Sequence, residues 1–245
     1  MRIPRIYTEQ LLQPGATVQL EPGPSQHIAR ALRMREGASL LLFNGRGGIY
    51  VATVASLGKK SVTVAITEHL SEELESPLRL ELGIAISRGD RMDWVIQKAT
   101  ELGVASITPL MTERTEIKLK GDRADKKLAH WRQIVISACE QSGRNRLPTV
   151  EPVGKLANWL PTVKTDRRFV LHHRDTSAKN TGETPASAAI LIGPEGGLSP
   201  EEISEVGNFD FEALTLGPRV LRTETAPLAA IAILQAQWGD MSALD

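Results

Sequence analysis

The sequence predicts an α/β protein in two parts: a small N-terminal β-barrel over residues 1–72, and a larger domain over residues 73–245 with a mainly parallel sheet and helices on both faces. Three observations carry this. Short apolar or alternating runs separated by tight turns fill residues 1–70. Residues 71–77, Ser-Glu-Glu-Leu-Glu-Ser-Pro, are polar and end in proline, which reads as a linker. Beyond them strand and helix signals alternate, the pattern of a parallel sheet.

In the first part the strand candidates are Val18–Leu20, Ser39–Phe43, Ile49–Ser56 and Ser61–Thr67. Pro-Gly, Asn-Gly-Arg-Gly-Gly and Leu-Gly-Lys-Lys turns separate them, and several short strands with tight turns suggest a barrel. One helical stretch, Gln26–Arg35, interrupts them, with Ile28, Ala31 and Leu32 sharing a face. Five arginines (Arg2, Arg5, Arg30, Arg33, Arg35) face three acids in residues 1–36. Two readings stand: an RNA-binding accessory in which Arg30 and Arg33 contact the polyanion, or a structural domain with solvated arginines.

In the second part Arg79–Ile86 and Ala105–Leu110 read as strands. Between them Asp90–Leu102 reads as a helix with Met92, Val95, Ile96 and Ala99 on one face, ended by Gly103. Arg123–Gln141 is a long helix with Leu128, Trp131, Ile134, Val135 and Ala138 as its apolar stripe. Thr149–Pro152 is extended, Gly154–Leu160 a short helix, Arg168–His172 a strand and Thr176–Pro185 a polar loop. Strands at 188–192 and 212–216 and helices at 200–206 and 224–238 complete the pattern. Ser199, Pro200 and Glu202 form a capping box with proline at the first helical position. Thr223 is a candidate cap of the last helix, whose Pro227 lies in the first turn.

Composition excludes several classes. The hydrophobic fraction of 41% and charged fraction of 24% are those of a globular protein. No run is apolar enough to span a membrane, the N-terminus lacks a signal-peptide core, and the single cysteine, Cys139, fits a reducing compartment, so a cytoplasmic protein is expected. The 29 basic and 29 acidic side chains cancel, but residues 111–146 hold nine Lys/Arg against five acids. That stretch is a polyanion-binding face or an ordinary solvated helix face.

Residues 190–226 concentrate the chemistry. Ile190–Ile192 and Leu214–Leu216 are each an apolar run leading into a Gly/Pro turn and a helix start, where small residues admit a ligand to backbone N–H groups. Gly193-Pro-Glu-Gly-Gly197 lacks the Gly-Lys-Ser/Thr of a triphosphate loop and is not GxGxxG. It suits an adenine or sugar held by main-chain groups, or is a structural turn. Arg219 and Arg222 hold a phosphate or neutralise a forming anion, or else pair with Glu195 or Glu224. Ser87–Arg91 is a strand-end loop, or Asp90 simply caps the following helix. Glu140–Arg146 offers Gln, Arg and Asn side chains suited to RNA, or is a plain helix stop. His172 and His173 point to opposite faces of an extended strand, so no metal site is expected. Cys139 reads as packing.

Taken in order, Arg88-Gly-Asp-Arg-Met-Asp-Trp94, Gln97–Val104, Thr108–Arg114, Ala138–Asn145, Ile192–Ser199 and Leu216–Ala226 resemble the RsmE family, the bacterial 16S ribosomal RNA uridine N3-methyltransferases of the SPOUT superfamily. More loosely, Phe43–Gly48 resembles that family's PUA-like barrel. The resemblance implies a C-terminal trefoil knot and S-adenosyl-L-methionine as methyl donor. The donor would be held by Leu171, His172, Ile192, Gly193, Pro194, Glu195, Gly196, Gly197, Leu216, Gly217, Val220 and Leu221. It implies a homodimer acting on 16S rRNA or the small ribosomal subunit. Arg222 is the candidate for stabilising charge on the uracil, and Glu224 a base or a residue holding Arg222. Arg88, Arg114, Arg144, Asn145 and Arg219 are candidate RNA contacts. Two other readings share these motifs: ribose 2′-O-methylation of RNA, and a non-catalytic RNA-binding assembly factor.

Overall fold

A computed structural model describes residues 3–59, 61–171 and 183–241. The chain divides into two compact units: Met1–Glu75 with Ile136–Leu147, and Ser76–Val135 with Pro148–Asp245.

The first unit holds strands β1 (Arg5–Tyr7), β2 (Thr17–Gln19), β3 (Ser39–Phe43), β4 (Ile49–Leu57) and β5 (Val62–Leu70), paired in the order β1-β3-β4-β5-β2. Only β1 and β3 run parallel. Alternate residues point to one face, so Leu40 and Leu42, Ala52 and Val54, and Val62, Val64 and Ile66 share a core with Ile6 and Ile28. Helix α1 (Pro22–Gln26) begins at a proline and continues as a wider turn over His27–Ala31. The helix thus starts and ends four residues earlier than its apolar face predicts. Arg33 has φ +50°, a left-handed conformation that no helix continues through.

Residues 136–147 belong to this unit, although the sequence reading placed them in the second domain. Their polar groups explain it. Glu140 accepts the Tyr7 N–H at 3.0 Å and lies 3.6 Å from His27. Burial pushes the Glu140 carboxyl above its ordinary range. Arg144 pairs with Glu75, and Asn145 joins Arg5 at 2.7 Å and the Glu72 carbonyl at 2.6 Å.

The second unit carries β6 (Arg79–Ala85), β7 (Ser106–Met111), β8 (Thr149–Val150), β9 (Gly154–Lys155), β10 (Arg167–Leu171), β11 (Ser187–Ile192) and β12 (Glu212–Leu214). Six run in the order β12-β10-β11-β6-β7-β8, β9 also pairs with β7, and every pair is parallel. The predicted helix over Gly154–Leu160 is shorter, because Gly154 and Lys155 pair with Leu110 and Met111. What remains is α4 (Leu156–Trp159) and a tight turn.

The other helices are α2 (Arg91–Glu101), α3 (Asp122–Ser142), α5 (Pro200–Gly207) and α6 (Thr225–Trp238). Successive side chains of β10 show that both sheet faces are covered. Val170 packs with Leu156, Trp159 and Val206 from α4 and α5, while Phe169 stacks on Trp238 of α6 at 5.9 Å. Gln235 of α6 donates to the Leu102 carbonyl at the end of α2. Gly103 after α2 has φ +85°, as a helix stop requires.

Candidate functional site

Parallel strands deliver their loops to one edge, and ligands of open α/β sheets sit beyond the strand carboxyl ends. Here β10, β11 and β12 are neighbours, and their carboxyl-end segments line a cleft of about 590 Å³. Among the described residues it brings together Leu171, Ile192, Gly193, Pro194, Glu195, Gly196, Gly197, Leu216, Gly217, Val220 and Leu221, with Arg114 and Arg219. These are the donor-pocket candidates apart from His172, which lies outside the described residues. Leu198, Pro200, Ile203, Leu214, Thr215, Thr223 and Ala226 also line it.

The Gly-rich loop is built locally and braced from outside. The Gly197 N–H donates to the Pro194 carbonyl at 2.8 Å, and Gly197 has φ +69°. Ser199 caps α5 by a full capping box, as its spacing predicts. The second oxygen of Glu202 accepts the Glu113 N–H at 2.7 Å. Arg114 reaches across to donate to the Gly196 carbonyl at 2.8 Å.

Glu195 and Glu224 share a different partner from the arginines proposed for them. Arg91, at the start of α2, lies 2.9 Å from Glu195 and 3.9 Å from Glu224. Arg91 therefore ties together the segments that follow β11 and β12. Glu224 occupies the N-cap position of α6 without a side-chain cap bond, and Thr223, expected to cap, donates to the Glu224 carboxylate instead. Arg222 is exposed, and its backbone carbonyl accepts from the Thr225 and Ala226 N–H groups at the start of α6.

The remaining candidates separate. Arg88 is exposed and pairs with Glu116; Asp90 holds the N-cap position of α2 without a side-chain bond. Arg30, Arg33 and Arg219 are exposed. Arg144 and Asn145 are 4% and 2% exposed and engaged with Glu75, Glu72 and Arg5, which corrects the expectation that they face RNA. Among the described residues no group of three or more His, Cys, Asp or Glu is placed to hold a metal ion, and no helix is long and apolar enough to cross a membrane. Burial pushes the Cys139 thiol up to about 12. In the folded protein Cys139 is expected to resist a maleimide at neutral pH and to react fully after denaturation, as intact-mass measurement will show.

Fold and cleft define an α/β protein with a cleft of small-molecule size at its strand ends, and the chain matches the family model for RNA methyltransferase domains over residues 74–235. Residues 25–67 match the model for the RNA methyltransferase PUA domain. The chain belongs to the family of ribosomal RNA small subunit methyltransferase E. It is 37% identical to the Buchnera aphidicola (Schizaphis graminum) member, covering 98% of this chain and 99% of that one. It is 30% identical to the Bacillus subtilis member, with 94% of each covered. Among solved structures, the enzyme of this name from Neisseria gonorrhoeae bound to S-adenosyl methionine is similar at TM-score 0.92, 40% identity and coverage of 98% and 99%. A Legionella pneumophila protein with bound SAM is similar at TM-score 0.94, 42% identity and coverage of 98% and 100%.

Proposed function

We propose that the chain transfers the methyl group of S-adenosyl-L-methionine to N3 of a uridine in 16S ribosomal RNA. The observation that carries this is near-full-length likeness to the Neisseria enzyme, which was solved with that donor. The cleft suits the donor. Its volume lies in the ordinary range for small-molecule sites, its walls are apolar at Leu171, Ile192, Leu198 and Leu221, and glycines expose main-chain groups along one side.

When bound, the donor supplies an electrophilic sulfonium methyl. Neutral uracil carries a proton on N3, so the protein's work is to orient the base and favour the N3 anion. Arg222 follows the cleft wall directly and is free to approach the uracil oxygens. Glu224 serves as a positioning residue through Arg91, which also holds Glu195. Arg114 and Arg219 line the cleft and offer charge to the RNA backbone, with Arg88 in the loop after β6 and Arg30 and Arg33 on the PUA-like unit.

The finer architecture is part of the same proposal. In it the chain end is threaded as a trefoil knot, a reading supported by the place of β12 at the sheet edge beyond β10 and by the return of α6 to pack on β11 and α2. The working form is a cytoplasmic homodimer. Mass spectrometry of digested 16S rRNA, from a strain lacking the gene and after reaction with purified protein, tests the chemistry. Methyl on the uracil base supports it; methyl on ribose, or none, overturns it. Arg222→Ala is expected to lower kcat about 100-fold with donor affinity unchanged, a loss of about 3 kcal/mol in the transition state, measured by single-turnover methyl transfer.

A further inference from the structure

A second cavity of about 370 Å³ opens on the same unit. Met111, Ile117 and Leu156 give it an apolar floor, and Lys118, Lys120 and Lys155 stand around it. All three lysines are exposed and lack an ion-pair partner among the described residues. They converge through topology: pairing of β9 with β7 sets Lys155 against Met111, and the segment after β7 supplies Lys118 and Lys120. Three such ammonium groups around one cavity are each able to donate to a phosphate oxygen. Three carboxylates line it as well, so the formal charges balance, but both Glu202 oxygens already accept backbone N–H groups and Glu113 is, like the lysines, exposed to solvent. Glu205 is left to face the cavity as an acceptor.

The cavity shares a wall with the donor cleft. Glu113 and Thr115 line the one and Arg114, between them, lines the other; Glu202 lines the one, Pro200 and Ile203 the other. We propose that this cavity holds a nucleotide of the substrate RNA neighbouring the target uridine, with its phosphate on Lys118, Lys120 and Lys155 and its base over the apolar floor. Flipping a target base toward the donor leaves its neighbours to be anchored, and a lysine-ringed apolar cavity next door provides the anchor. The inference rests on the methyltransferase reading.

The test compares wild type with Lys118→Gln/Lys120→Gln/Lys155→Gln and with the triple Arg variant. Small ribosomal subunits from a strain lacking the gene serve as the RNA probe. Binding is measured without donor over a series of salt concentrations, methyl transfer separately, and donor affinity by calorimetry. The Gln variant is expected to raise KM for the subunit about tenfold and to flatten the slope of log K against log salt by about 0.7, the contribution of one single-strand phosphate contact. Its kcat and donor affinity stay at wild-type values, and the Arg variant behaves as wild type. An unchanged slope and KM overturn the inference, as does a fall in donor affinity, which would assign the lysines to the donor cleft. If wild type transfers no methyl group, the methyltransferase reading fails on its own, while the salt series still decides whether these lysines hold RNA.

Discussion

Gly83→Ala is expected to destabilise the protein by about 3 kcal/mol, lowering the melting temperature by roughly 6–12 °C. Gly83 lies in the middle of β6, between β11 and β7, where a strand ordinarily carries a side chain. Its missing Cβ makes room for the Trp159 indole: a Cβ there would sit 2.5 and 2.6 Å from two ring carbons. The ring cannot easily retreat, because it is 7% exposed and packed against Phe211 at 5.9 Å. Overpacking of a rigid ring, with no flexible end to swing aside, is costly. Differential scanning calorimetry measures it, and pairing Gly83→Ala with Trp159→Leu should recover part of the loss. A melting temperature within about 2 °C of wild type would refute the argument.

Gly196→Val is expected to leave the fold intact and weaken S-adenosyl-L-methionine about 100-fold or more, about 2.7 kcal/mol. The choice among the cleft glycines matters. At Gly193 a Cβ would press on Leu198 at 3.2 Å, and Gly197 has φ +69°, so substitution at either would confound binding with folding. Gly196 has neither problem: its nearest neighbour is Arg114 at 3.6 Å, an ordinary contact. Added carbon there lies against the aliphatic stem of Arg114 and takes space from the cleft that Gly196 lines. Calorimetric titration of the donor, with a melting curve as control, separates the two effects. Wild-type affinity in a folded variant would remove the close-approach role of this loop.

How far the sequence spoke depends on whether a feature is local. The Ser199–Glu202 capping box, the stop at Gly103 and the strands around 79–85 and 187–192 are encoded within a few residues, and they stand where spacing puts them. β1 and β9 run three and two residues, too short for alternation to register, and exist because distant strands pair with them. The same divide runs through the site. Gly/Pro turns after two apolar runs marked the cleft, and the family motifs named its residues. Arg91 stood in the strand-end loop without a role of its own, because its carboxylate partner in the Gly-rich loop is 104 residues away. Arg144 and Asn145 misled for that reason too: polar side chains at a helix end read as exposed until Glu75, Glu72 and Arg5 close over them from the far end of the sequence.

Glu202 gives the site an unexpected chemical constraint. One carboxylate oxygen closes the capping box of α5 and the other secures the Glu113 N–H, so a single side chain is the tie-rod of the partition between two chambers. Both its partners are donors. Glutamine would turn an amide N–H toward one of them, and aspartate is a methylene too short to reach both. A glutamate in the first turn of a helix is usually an interchangeable choice for the helix dipole; here both oxygens are committed, so a change at position 202 is expected to loosen the partition on both sides.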